Sequence, residues 1–287
     1  MPVISVAGIN IELCVPQWMI SKPLYDFEIS DTGRTIKIEA QFGPLPAIQA
    51  GSLICVQVPG RTIYEYDGFL HFNYTPDDGL SYMRVASDYS FCQLGIETDH
   101  NQPDDPDIRS IMADKVLYAV REILTGRLIF ENGLRLHSSV VLSRGFGILF
   151  SAVSGTGKST HAHLWNELLP DVRIINGDNG FCRLSDDTPV VYGAPWCGSS
   201  GEYINTSAPV RAIVFLEQAT ENKIVKLGTA EAFMRLSARC YMPVWDKHLM
   251  EKCIETTEKF VRKVDCWLLS CLPDYDAVRV VNQCIWE

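Results

Sequence analysis

The run Ser154-Gly155-Thr156-Gly157-Lys158-Ser159-Thr160 offers the most direct chemistry in this chain. Glycines, a lysine and hydroxyl residues in this order describe a phosphate-binding loop. Glycine lets successive backbone N–H groups turn inward around phosphate oxygens, and a helix starting here adds its positive end. Lys158 reaches the outer phosphates, and the Ser159 hydroxyl can enter the shell of a bound magnesium ion. The expected ligand is a nucleoside triphosphate, ATP with magnesium. Lys158 is expected to be exposed in the empty loop. The full loop pattern has glycine where this chain has Ala152, a change the backbone accepts only if it needs no positive φ there.

Other residues could join the loop. Asp178 follows the short apolar run Val172-Arg173-Ile174-Ile175, about twenty residues after Lys158. An Asp at such a strand end can bind magnesium or take the proton of an attacking hydroxyl. Asn176-Gly177-Asp178-Asn179-Gly180 is equally rich in turn formers, so a plain turn residue is the competing reading. His137 ends Leu134-Arg135-Leu136-His137, one hairpin before the loop, and reads as a site residue or a hydrogen-bonded structural histidine. His161 and His163 are two apart on a helix and share no face, which argues against a metal pair. Tyr192 to Glu202, rich in Gly and Ser, reads as a mobile loop anchored by Pro195-Trp196, either a cover for substrate or a surface connection.

The elements that must position these groups divide the chain in two. Residues 1–103 read as a β-rich domain able to bind substrate or partner. Ile36 to Ala40 alternates, Leu53 to Val58 is apolar, and Thr62 to Tyr66 and Leu70 to Tyr74 flank the tight-turn pair Asp67-Gly68. Asp31-Thr32-Gly33 and Asp77-Asp78-Gly79 mark further turns. A polar stretch from Asp99 runs into a helix start, with Asp105 as N-cap and Pro106 at the first helical position. An apolar helical face follows from Ile108 to Leu124, with Gly126 ending it.

Residues 104–287 then alternate strand and helix, the pattern of an α/β nucleotide-binding domain. Strands are expected at Leu136–Leu142, Gly147–Phe150, Val172–Ile175, Val210–Leu216, Cys266–Leu272 and Ala277–Val281. Helices are expected at Thr160–Leu169, Ala230–Ala238 and Lys247–Val264. The fold class expected overall is α/β, α+β when the first domain is included.

A formal net charge of -10 argues against nucleic acid as partner, so an anionic nucleotide needs a local positive site. None of the 10 cysteines forms C-x-x-C or a zinc-spaced cluster. With no signal-peptide pattern and no membrane-length apolar run, a cytoplasmic protein with reduced thiols is expected. Self-association into a homo-oligomer stays open.

The second half resembles the C-terminal catalytic domain of HPr kinase/phosphorylase, one of the phosphate-loop folds related to phosphoenolpyruvate carboxykinase. The resemblance rests on His137, the hairpin Val140-Val141-Leu142 to Gly145-Phe146-Gly147-Ile148-Leu149, and the loop Ser154 to Ser159 at the family's interval. It covers residues 130 to 220 best. The family's paired acids look like Gly177-Asp178-Asn179 here, which implies Asp178 as general base and leaves Asn179 as a departure. The segments Gly193-Ala194-Pro195-Trp196-Cys197-Gly198 and Asn205 to Pro209 are similar to a subgroup that includes kinases of lasso-peptide precursors. An Arg-Gly-Leu-Gly-like signature linked to HPr binding is not evident. The resemblance implies an ATP- and magnesium-dependent kinase acting on a hydroxyl, a Ser of a peptide or small protein. Lys158 and the loop would hold phosphates, Ser159 and Asp178 the metal, and Asp178 with His137 the acceptor proton. A small-molecule kinase and a non-catalytic nucleotide-binding regulator remain the alternatives.

Overall fold

Period-two alternation builds the first unit. In Ile9-Asn10-Ile11-Glu12-Leu13-Cys14 the aliphatic residues are buried and their neighbours half-exposed, so one side of the strand faces the core. The computed structural model of the chain describes residues 1–30, 33, 35–43, 47, 51–74, 82–96 and 105–287. They form a mixed α/β fold that divides into two units. One comprises Met1–Phe130 and Pro243–Leu249; the other comprises Glu131–Met242 and Met250–Glu287.

In the first unit the strands are β1 (Val3–Val6), β2 (Ile9–Cys14), β3 (Glu28–Ile29), β4 (Thr35–Phe42), β5 (Leu53–Val58), β6 (Arg61–Tyr66), β7 (Phe69–Tyr74), β8 (Tyr82–Ala86) and β9 (Phe91–Ile96), with a short helix α1 (Lys22–Tyr25) before β3. Among the described residues they form one sheet in the order β3-β1-β2-β4-β9-β8-β7-β6-β5. The β2–β4 and β4–β9 pairings are parallel. The turn at Asp67-Gly68 joins β6 to β7 as the sequence predicts. The turns at Asp31-Thr32 and Asp77-Asp78-Gly79 and the linker up to Asp104 lie outside the described residues.

Helix α2 (Pro106–Phe130) starts as its cap predicts, with the Asp105 carboxylate accepting the Asp107 N–H at 2.9 Å. It does not stop at Gly126. The buried Tyr89 ring lies against that position, where any Cβ would overlap it, so the glycine serves close packing inside the helix. The division between units also falls later than residue 103. Helix α2 packs on the turn Gln17–Met19 and on β9, and Arg127 donates to the Asp88 carbonyl at 3.1 Å. A returning segment adds Trp245, whose indole N–H donates to the Tyr89 hydroxyl at 3.2 Å.

In the second unit the elements are β10 (Gly133–Ser143), β11 (Phe146–Ser151), α3 (Lys158–Leu168), β12 (Arg173–Asn176), β13 (Asn179–Ser185), β14 (Thr188–Tyr192), β15 (Ser207–Gln218), β16 (Lys223–Lys226), α4 (Thr229–Ser237), β17 (Asp265–Cys271) and α6 (Tyr275–Trp286). Helix α5 (Lys247–Lys263) precedes β17. Two long strands change partner along their length. Strand β10 pairs with β13 from Gly133 to His137, then with β11 from Ser138 to Ser143. Strand β15 pairs first with β14 and then, in parallel, with β11 and β17.

Helices α3 and α6 pack together through a core that includes Phe150, Trp165, Val214, Leu269, Val278 and Val281. Each such side chain stabilises the unit by about 1.5–3 kcal/mol relative to exposure. Ala277 to Val281, expected as a strand, lies in α6. The Asp274 carboxylate accepts the Ala277 N–H, and Ala277, Val278, Val281 and Ile285 form one buried helical stripe. Among the described residues no helix is long and apolar enough to cross a membrane.

Candidate active site

The place where β10 changes partner is the place where three of the chemistry-bearing residues meet. His137 is the last residue paired with β13, opposite Asn179, and Ser138 is the first paired with β11. The His137 carbonyl accepts from Ser151 Oγ at 2.8 Å, and the Ser138 N–H donates to the Asp178 carbonyl at 3.0 Å. These bonds lock His137 and Asp178 to the strand that leads into the phosphate loop.

Lys158 Nζ donates to His137 Nε2 at 2.8 Å, and His137 Nδ1 lies 3.2 Å from Asp178 Oδ1. With Lys158 charged, Nε2 accepts and the ring proton is on Nδ1, directed at the carboxylate. The result is a chain from ammonium through imidazole to carboxylate. The hydrogen bond with His137, with help from Lys158 and Asn179, holds the Asp178 carboxyl below its ordinary range despite burial. Burial lowers the proton affinity of Lys158, opposed by Asp178 and reinforced by nearby Arg239. Lys158, expected to be exposed, is buried, with 7% of its surface accessible. Its cation is held by His137.

The loop between β11 and α3 turns on two left-handed glycines. Gly155 and Gly157 take φ of 81° and 117°, values that side chains resist. Ala152 is buried and its backbone is not left-handed, which is why alanine is accepted there. Val153, Ser154 and Gly155 are exposed, as are Ser159 and Thr160 on the first turn of α3. Gly157 at the N-cap has no side chain to cap the helix, and the first intrahelical bond is donated by the His161 N–H to the Gly157 carbonyl at 2.9 Å. The preceding first-turn N–H groups are free to meet an anion. ATP phosphates fit this donor set. The exposed Ser159 hydroxyl and the half-exposed Asp178 carboxylate are oxygen donors of the kind magnesium takes.

The turn that carries Asp178 is organised by Asn176, which sequence reasoning passed over. Its buried Oδ1 accepts the N–H groups of Asp178 at 2.9 Å and Asn179 at 2.7 Å. Its Nδ2 donates to the carbonyls of Ala194 at 2.8 Å and Trp196 at 3.2 Å. The available signal was an Asn followed by Gly at a strand end, a residue type that bonds its own neighbouring backbone. Asn179 Nδ2 donates both to Asp178 Oδ2 at 2.8 Å and to the Trp196 carbonyl at 3.2 Å. A second acid in that position would have no proton for either acceptor.

Gly193 to Cys197 is buried and hydrogen-bonded, not a mobile loop. Trp196 packs on Phe181 with ring centroids 5.4 Å apart. Within Tyr192 to Glu202 only Gly198, Ser199 and Gly201 are exposed. His161 is buried against Phe150 and accepts from the Trp165 indole at 3.1 Å, whereas His163 is exposed beside Glu202 at 3.2 Å.

No family model and no curated protein matches the chain. Among solved structures the chain is similar to the HPr(Ser) kinase/phosphatase from Coxiella burnetii, with 9% identity and a TM-score of 0.31, over 53% of this chain and 99% of that one.

Proposed function

We propose that the second unit is a kinase that transfers the γ-phosphoryl group of ATP to a hydroxyl, with a Ser of a peptide or small protein as acceptor. The observation that carries this reading is the hydrogen-bonded chain Lys158–His137–Asp178 beside a loop with left-handed Gly155 and Gly157. In support of the reading, a cation suited to phosphate and a carboxylate suited to accept a proton share one imidazole. The choice of a Ser acceptor, and of HPr-kinase-like and peptide-precursor kinases as the kin of this chain, comes from the resemblance in the sequence.

Loop N–H groups and Lys158 bind the phosphates. Lys158 then exchanges His137 for a phosphate oxygen, which frees His137 Nε2 while Nδ1 keeps Asp178 in place. Asp178 accepts the hydroxyl proton as the acceptor oxygen bonds to phosphorus and the bond to the departing ADP breaks. Magnesium held by Ser159 and Asp178 would neutralise charge on the phosphates.

The test is incubation of the full chain with ATP, magnesium and a set of Ser-containing peptides and hydroxylated metabolites, read by mass spectrometry. One acceptor is expected to gain a phosphate. Asp178→Asn is expected to slow that transfer by about 10²–10⁴ while still binding ATP. ATP binding with no phosphorylated product would reject the kinase in favour of a nucleotide-binding regulator.

A further inference from the structure

The first unit holds a second polar site, unrelated to the phosphate loop. On the sheet, Tyr64, His71, Arg84 and Gln93 are successive cross-strand neighbours on β6, β7, β8 and β9. Residues directly opposite share a face, so these four side chains form one row. The next row on that face is Tyr82, Gly95 and Gln41. Gly95 leaves a gap between its two neighbours. A cavity of about 420 Å³ opens over these rows, within the size range of small-ligand sites, roughly 300–1,000 Å³. The opposite face of the same strands carries Ile63, Phe72, Met83, Val85, Cys92 and Leu94, all buried as core.

The floor of the cavity is hydrogen-bonded within itself. His71 Nε2 donates to the Tyr66 carbonyl at 3.1 Å, and Nδ1 accepts from the Tyr82 hydroxyl at 2.6 Å. The ring stacks on Tyr64 at 4.8 Å, and burial lowers its proton affinity. The groups left for a ligand are different ones. The Arg84 guanidinium lies over the Phe69 ring at 3.7 Å and forms no ion pair among the described residues. Stacking fixes the plane of a guanidinium and leaves its edge N–H groups free to grip a carboxylate in two bonds. Gln41, opposite Gly95 on β4, and Gln93, two residues before it on β9, add carboxamides. Tyr66 and Phe42 supply aromatic walls. Among the described residues the charged lining is one cation, Arg84, and one anion, Asp67, while Glu39, next in the row after Gln93, is paired with Lys37. That balance suits a monoanion and opposes the second charge of a phosphate.

We propose that this cavity binds a carboxylate attached to an aromatic or large apolar body, with Arg84 gripping the carboxylate and the aromatic walls holding the body. A free aromatic acid and the C-terminal residue of a peptide both present this chemistry.

The probes are N-acetylphenylalanine, its carboxamide, phenyl phosphate and a tetrapeptide ending in a free phenylalanine, each titrated by calorimetry into the full chain without nucleotide. The acid is expected to bind at least about tenfold more tightly than the carboxamide or phenyl phosphate. Arg84→Gln is expected to lose at least about tenfold in acid affinity, with its melting temperature recorded as a check on folding. The acid-to-carboxamide ratio on the unmodified chain decides the matter even if that variant fails to fold. Binding of both acid and tetrapeptide supports a peptide terminus as occupant; binding of the acid alone supports a small molecule. Equal binding of acid and carboxamide, preference for phenyl phosphate, no binding of any acid, or an unchanged affinity in folded Arg84→Gln overturns the proposal.

Discussion

Gly198 and Gly201 make a matched pair for testing how Asp178 is held. Both have left-handed backbones, with φ of 63° and 70°. Alanine in either place is therefore strained by about 1–2 kcal/mol. Only one of them touches the candidate base. A Cβ on Gly198 would stand 2.9 Å from Asp178 Cβ and 3.0 Å from its Cγ, whereas a Cβ on Gly201 meets nothing within 4 Å. Carbon atoms settle about 3.5–4.0 Å apart, so Gly198→Ala must displace Asp178 by about 0.5–1 Å. A shift of that size in a reacting group costs about 10²-fold in rate. Gly201→Ala is expected to lower the melting temperature by about 2–8 °C, and Gly198→Ala by at least as much because it also displaces Asp178. Only Gly198→Ala is expected to slow transfer about a hundredfold at saturating ATP. Displacement also loosens the bond to His137 that holds the Asp178 carboxyl below its ordinary range. The carboxyl should then titrate higher in Gly198→Ala than in Gly201→Ala, a difference that NMR can read without any turnover. Identical Asp178 titration and identical transfer rates in the two variants would refute this account of the site.

Two further predictions concern stability. His161 is buried and neutral, its ring pushed down to about 4 by burial. The unfolded chain takes up a proton near pH 6.5 that the folded chain refuses, so stability is full above that pH and falls by about 2 kcal/mol on acidification to pH 5. Urea titrations at the two pH values should show this loss shrink in His161→Gln; an unchanged loss would place the titration elsewhere. In the first unit, Gly126→Ala forces a methyl group into the Tyr89 ring and should cost about 1–3 kcal/mol. The penalty should vanish in a Tyr89→Ala background, and a double-mutant cycle with no coupling would count against the packing.

Local sequence determined the parts whose physics is local. The glycine turn before α3 was legible because Gly155 and Gly157 meet demands made within a few residues, and φ at both follows them. The Asp105 cap, the Asp67-Gly68 turn and the alternation in β2 were legible for the same reason. Gly126 and Ala277–Val281 misled because their meaning lies in distant partners, the Tyr89 ring in one case and the core under α6 in the other. Burial of Lys158 was out of reach too, since its acceptor, His137, is a strand and a loop away.

Only the tertiary structure decided that His137, Lys158 and Asp178 share one hydrogen-bonded chain, that Asn176 ties the Asp178 turn to the segment around Trp196, and that α2 belongs with the first unit. Those contacts depend on where β10 leaves β13 for β11. Strand pairing of that kind is set by the burial of two faces at once, which no short window of residues contains.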